Sequence, residues 1–129
     1  MSLQQSSNEE LLNIATKIAI SASKHAKGGD KPVVDPTTIN NLLTFIQSRK
    51  DVNELLAFIM RQTGRKEIDP DTCKLLLRYL KGLSLDKATQ LLGYVKWIHE
   101  TLTSGDIGIN RSKLNDVKSF SELVKLIAE

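Results

Sequence analysis

Cysteine, proline and long apolar runs are scarce in this sequence of 129 residues. With a single cysteine, Cys73, the chain can form neither an intrachain disulfide nor a cysteine zinc cluster, which is typical of a reduced intracellular protein. No stretch approaches the roughly 20 apolar residues of a membrane span. The first ten residues are polar and acidic, unlike a secretory or organelle-targeting signal. The sequence therefore predicts a cytoplasmic protein that does not enter a membrane.

Helical patterning is the strongest signal that the sequence does contain. Apolar residues recur at intervals of three and four, each run begins at a capping residue, and four of the runs end near a glycine. The predicted N-caps are Ser7 (with Glu10), Asp35 (with Pro36), Asp51 (with Glu54), Asp69 (with Pro70), Ser84 and Ser119 (with Glu122). The glycines expected to end helices are Gly28, Gly64, Gly82 and Gly105.

These signals divide one domain of residues 1–129 into four parts. They are a first helix over 8–27, a hinge or loop over 28–35, a helical core over 36–105, and a C-terminal loop with a short helix over 106–129. No apolar alternation is long enough for a sheet. We expect an all-α fold, a compact bundle of five or six antiparallel helices.

No arrangement of residues indicates catalysis. His25 and His99 lie outside any metal-ligand spacing. His99 falls on the apolar face of the fifth helix, where we expect a partly buried histidine bonded to a neighbouring helix. Asp69 and Asp71 suit a helix start better than a metal site, and Cys73 suits an apolar core. An enzyme would need His99, Cys73 and a carboxylate to converge. We expect a non-enzymatic protein without metal or cofactor.

The positive charge is confined to one part of the chain. The net charge is +3, yet residues 73–96 alone carry +4 and the remainder carries −1. Lys74, Arg78 and Lys81 share one strip of the fourth helix. Such a strip is often only a solvated face, but it also suits sequence-independent contact with a nucleic-acid backbone. The candidate nucleic-acid-binding residues are Arg61, Arg65, Lys66, Lys74, Arg78, Lys81 and Lys87.

The only tryptophan, Trp97, falls on the polar side of the fifth helix, beside Gly93 and Tyr94. Three interpretations remain open. The segment 107–129 could cover the ring, the ring could anchor a protein partner or a second copy, or it could stack on an unpaired base. We expect the intrachain cover, and Gly93, Tyr94 and Trp97 are the candidate partner-binding residues.

Residues 87–98, KATQLLGYVKWI, together with LLAFI at 55–59, resemble the small helical subunit of type III CRISPR effector complexes. The resemblance implies a non-catalytic subunit in antiviral defence, stacked along the guide–target duplex and contacting neighbouring subunits. It carries over to Ala57, Phe58, Ala88, Thr89 and Trp97 as core or contact positions. The predicted function is a nucleic-acid-binding subunit of a larger assembly, and the alternative is a protein–protein adaptor or homo-oligomeric module.

Overall fold

The computed structural model describes residues 8–26 and 29–129. These ranges contain seven helices: α1 (Asn8–Ser23), α2 (Pro36–Arg49), α3 (Val52–Gly64), α4 (Pro70–Leu80), α5 (Leu85–Thr103), α6 (Arg111–Leu114) and α7 (Phe120–Ala128). The described residues form no strand, and one isolated bridge pairs His25 with Pro32. The prediction of an all-α fold is confirmed. The sequence patterns missed α6, a single turn that begins where the Asn110 side chain accepts the Ser112 N–H.

Five of the predicted N-caps form as expected. The side chains of Asp35, Asp51, Asp69, Ser84 and Ser119 each accept a backbone N–H of the first turn, at 2.8 to 3.2 Å. Each bond satisfies an amide that the helix itself leaves unpaired. Asp69 therefore has the structural role expected of it. The sixth predicted cap, Ser7, lies outside the described residues.

The first helix ends earlier than predicted, at Ser23 instead of residue 27. Backbone groups beyond it bond to the returning chain: Val33 N donates to Lys24 O at 2.7 Å, and Ala26 N donates to Lys31 O at 2.7 Å. These bonds replace the helical ones, so the described part of the expected hinge is tied to the end of α1. Gly28 lies outside the described residues.

Glycines end two helices as predicted and a third differently. Gly82 and Gly105 follow α4 and α5 with φ of 80° and 79°, a left-handed conformation that glycine adopts without a steric penalty. Gly64, in contrast, is the last residue of α3, and the left-handed position after that helix falls on Lys66, with φ of 66°.

The core is built around α5, which packs on α1 and α2, while α4 packs on α3 and α1, and α7 packs on α1. Side chains such as Leu11, Ile18, Leu91 and Leu92 are fully buried there. None of the helices in the described ranges combines the length and apolar character that crossing a bilayer requires.

Candidate nucleic-acid interface

Two of the cations predicted on the outer face of α4, Lys74 and Arg78, line a groove between α1, α4 and the segment around α6. The groove has a volume of about 550 Å³. Its other charged residues are Lys17, Lys24, Lys118 and the single acid Asp71. The lining of this one groove therefore contains five cations and a single carboxylate.

Helical spacing places four of these five cations in two rows, with Lys118 outside both. Lys74 and Arg78 are one turn apart on α4. Lys17 on α1 and Lys24 just beyond its end are seven residues apart, which corresponds to about two helical turns or about 10 Å. The two rows are fixed relative to each other because α1 and α4 share a buried hydrogen bond of 2.7 Å between the hydroxyls of Ser21 and Thr72.

The cations of the groove are not neutralised within the described part of the chain. The salt bridges found there join Arg49 to Glu54 at 2.7 Å and Lys96 to Glu100 at 3.8 Å, and neither involves a residue of the groove. All five cations of the groove are exposed. Positive charges that line a concave surface concentrate the electrostatic potential there and attract anions.

A second groove continues the first at its Lys24 end. It is about 470 Å³ and shares Ile20, Lys24, Leu114 and Asn115 with the first groove. It adds His25, Ser112 and Arg111. The Arg111 guanidinium donates to the Ser23 carbonyl, to the Ser23 hydroxyl at 3.1 Å and to the Leu102 carbonyl at 3.3 Å. These neutral acceptors hold Arg111 in place without cancelling its charge, so the positive path extends past α1.

The other predicted nucleic-acid residues do not line either groove. Arg61, Arg65 and Lys66 are exposed at the end of α3 and in the turn after it, and Lys81 is exposed after α4. Lys87 is half-buried in the first turn of α5. The structure thus brings Lys74 and Arg78 together with three lysines that the sequence analysis missed, Lys17, Lys24 and Lys118. The seven-residue spacing on α1 could have indicated the first two.

Trp97 is 66% exposed, so the expected cover by residues 107–129 is wrong for the described structure. The reason is that α7 packs against α1, and a groove lies between α7 and Ile98 and Thr101 of α5, so the outward face of α5 stays open. The rings of Tyr94 and Trp97 lie with centroids 6.0 Å apart, tilted by 47°. Apart from its chain neighbours and the backbone of its own helix, no described atom would lie within 4 Å of a Cβ on Gly93, so no other element covers α5 at this position.

An almost wholly apolar groove of about 290 Å³ lies beside Trp97, between α5 and α7. It includes Thr101, one helical turn beyond Trp97, and Val124, which is 48% exposed. Trp97, Tyr94, Gly93 and this groove form one exposed surface, called the Trp97 face below.

His99 contacts the neighbouring helix α1 as predicted, with Nε2 3.4 Å from the Ala22 carbonyl oxygen, but it is fully and not partly buried. Burial lowers the pKa of this histidine, and the backbone of Ala22 and Val34 opposes the shift. Cys73 is also buried. Over residues 8–26 and 29–129, no group of three or more His, Cys, Asp and Glu side chains could hold a metal ion.

The arrangement can bind anions along a basic path and can bury apolar surface at the Trp97 face. A comparison with known protein families finds no match, and a search of curated proteins finds no related sequence.

Proposed function

We propose that this protein is a non-catalytic nucleic-acid-binding subunit of a larger assembly, and that the groove between α1, α4 and α6 is its contact surface. The observation that carries the proposal is the lining of this groove, five exposed and unpaired cations with a single carboxylate. The resemblance of residues 87–98 to the small subunit of type III CRISPR effector complexes suggests that the assembly is a ribonucleoprotein.

The cations of the groove would bind the phosphate backbone. Each lysine that contacts a phosphate releases condensed counterions, which gives affinity without sequence preference. The Arg78 guanidinium can also donate two parallel hydrogen bonds to one phosphate. The other predicted cations lie outside the groove and would attract the nucleic acid more weakly, because salt screens distant exposed charges. They are Arg61, Arg65, Lys66, Lys81 and Lys87.

Fluorescence anisotropy with labelled oligonucleotides tests the proposal. If all five groove cations neutralise a phosphate of a single strand, log affinity falls with log salt with a slope of about −3.5. The paired change Lys74→Glu with Arg78→Glu should weaken binding at about 50 mM salt by at least tenfold, about 1.4 kcal/mol. Absence of binding at low salt would refute the proposal.

A matched control separates the groove from the overall charge. Lys31→Glu with Lys125→Glu changes the net charge by the same amount, and both lysines are exposed and lie outside the basic grooves. We expect this control to weaken binding by less than about threefold, since distant exposed charges are screened. An equal loss in both variants would show that the whole surface, and not the groove, attracts the nucleic acid.

The Trp97 face supports a second candidate, contact with a second copy of the chain. Exposed tryptophan and tyrosine side chains are frequent anchors of interfaces. Lys96 and Glu100 lie on one flank of this face. In an antiparallel pairing of two α5 helices about a two-fold axis near Ile98, each Lys96 would lie opposite Glu100 of the other copy.

Self-association is tested by sedimentation over a concentration series, together with Trp97 emission. A dimer should form as concentration rises, with a blue shift of the emission, and Trp97→Ala should abolish it. A Trp97 emission typical of an exposed ring at every concentration, in a species that stays monomeric, would eliminate this candidate.

A further inference from the structure

We infer that the basic groove takes a single strand of nucleic acid in preference to a duplex, with bases against an apolar floor and phosphates at the cationic rims. The inference rests on the proposed function and specifies its ligand. It depends on the aliphatic side chains that line the groove together with the cations.

The floor of the groove is aliphatic. Leu75 and Val117 are half-buried and expose apolar surface to the groove, whereas Ile20 and Leu114, at 9% and 2% exposed, contribute little. Apolar surface that stays hydrated in the free protein is buried favourably only by a ligand that itself presents apolar surface. The floor therefore distinguishes between ligands that carry the same phosphates.

A duplex and a single strand differ in this respect. A duplex stacks its base faces inside and presents phosphates and sugars outside. It would therefore contact the cations of the groove and leave the apolar lining hydrated. A single strand has base faces free to bury against side chains, which adds affinity with little sequence preference. Asn115, exposed and present in both grooves, offers an amide donor and acceptor to a base edge.

The path of the groove also suits a flexible ligand. It runs between α1 and α4, and past Lys24 it leaves α4 and continues along α6 to Arg111. A flexible single strand can bend to follow the groove from α4 to α6 with little loss of free energy. A rigid acidic helix, about 10 Å across, would lie in only one of the two parts, so we favour the strand.

The test measures one labelled single strand against three unlabelled competitors at about 50 mM salt. The competitors are the same strand, its duplex of equal length and sequence, and an acidic amphipathic peptide. We expect the strand to compete about tenfold better than the duplex, because it gains base contacts. The experiment is run with both RNA and DNA strands.

Variants of the apolar lining test whether these side chains cause the preference for a single strand. Leu75→Ala with Val117→Ala should weaken single-strand binding about five- to tenfold, and should leave duplex binding unchanged. Leu77→Ala is the control, because Leu77 is a half-buried leucine of the same helix that does not line the groove. Thermal unfolding identifies any variant that fails to fold, and a single Val117→Ala change, away from α4, provides a second measurement.

The outcomes are distinct. Equal binding of strand and duplex, unaffected by the floor variants, would overturn the inference while the proposed function stands. Tighter binding of the acidic peptide than of either nucleic acid would overturn the inference and assign the groove to a protein partner. Absence of any nucleic-acid binding at low salt would refute the proposed function itself.

Discussion

His99 shows how the environment of one residue sets a property of the protein. Its side chain is fully buried, and its Nδ1 has no hydrogen-bond partner among the described residues. Burial disfavours the imidazolium, so the pKa of His99 is lowered in the folded protein. Below about pH 6.5 an unfolded chain takes up a proton at this histidine while the folded protein does not. The unfolded state then binds more protons, so stability decreases as pH falls through this window.

We predict that the free energy of unfolding decreases between about pH 7.5 and about pH 5.5, and that His99→Gln removes part of this decrease. Urea denaturation at a series of pH values measures it. His25→Gln, at an exposed histidine, is the control and should keep the pH dependence of the wild type. The prediction fails if His99→Gln shows the same slope of stability against pH as the wild type.

The buried hydroxyls of Ser21 and Thr72 allow a second residue-scale prediction. Thr72→Val leaves the Ser21 hydroxyl without its 2.7 Å partner, and Ser21→Ala does the same to Thr72. Each single change should cost about 1 to 3 kcal/mol, and the double change should cost less than their sum. Urea unfolding of the four proteins measures the coupling. Strict additivity would mean that the bond does not hold α1 to α4.

At the scale of elements, α7 depends on its neighbour. A helix of nine residues is too short to be stable alone in water. Leu123 is its only buried side chain, and the Phe120 N–H donates to the Asn13 side chain of α1 at 2.9 Å. The docking of α7 therefore rests on a few contacts at one end of the bundle.

We predict that Asn13→Ala accelerates amide hydrogen exchange throughout α7 by about fivefold, since it removes a hydrogen bond worth about 1 kcal/mol. Exchange in the centre of α5 should stay unchanged. Asn41→Ala, at an exposed asparagine of α2, is the control and should alter neither helix. Unchanged exchange in α7 of the Asn13 variant would show that apolar packing of Leu123 and its half-buried neighbours holds the helix without this hydrogen bond.

Helix boundaries could be predicted from the sequence where interactions between neighbouring residues determine them. The caps at Asp35 and Ser84 need only a side-chain oxygen and the next turn, so the sequence indicates them directly. The end of α1 at Ser23 depends on pairing with residues 31–34, and α6 is only one turn long. Such features depend on distant contacts or on too few residues for a periodic pattern.

At the scale of the whole molecule, charge and shape act together. The sequence located an excess of charge in residues 73–96, but the groove combines Lys74 and Arg78 with lysines from α1 and from the segment before α7. Only the packing of α1 beside α4 brings these rows together. The exposure of Trp97 could not be predicted for the same reason, because it depends on where α7 docks.

We predict that a single-stranded oligonucleotide raises the melting temperature at about 50 mM salt and has little effect at about 300 mM. A ligand present at about 100 times its Kd stabilises the folded state by about 2.7 kcal/mol. Differential scanning calorimetry measures the shift. The Lys74→Glu, Arg78→Glu protein should show a much smaller shift at either salt concentration, and an equal shift in this variant would place the ligand elsewhere.

The packing of α1 on α5 has a consequence for synthesis of the chain. Roughly 60 residues separate the end of α1 from the start of α5, so at cellular rates about 3 to 12 seconds pass before the main partner of α1 is made. During that interval the apolar face around Leu11 and Ile18 is open to chaperones and to other nascent chains. Substitutions that make this face more apolar should therefore reduce the yield of soluble protein, even where the native state is no less stable.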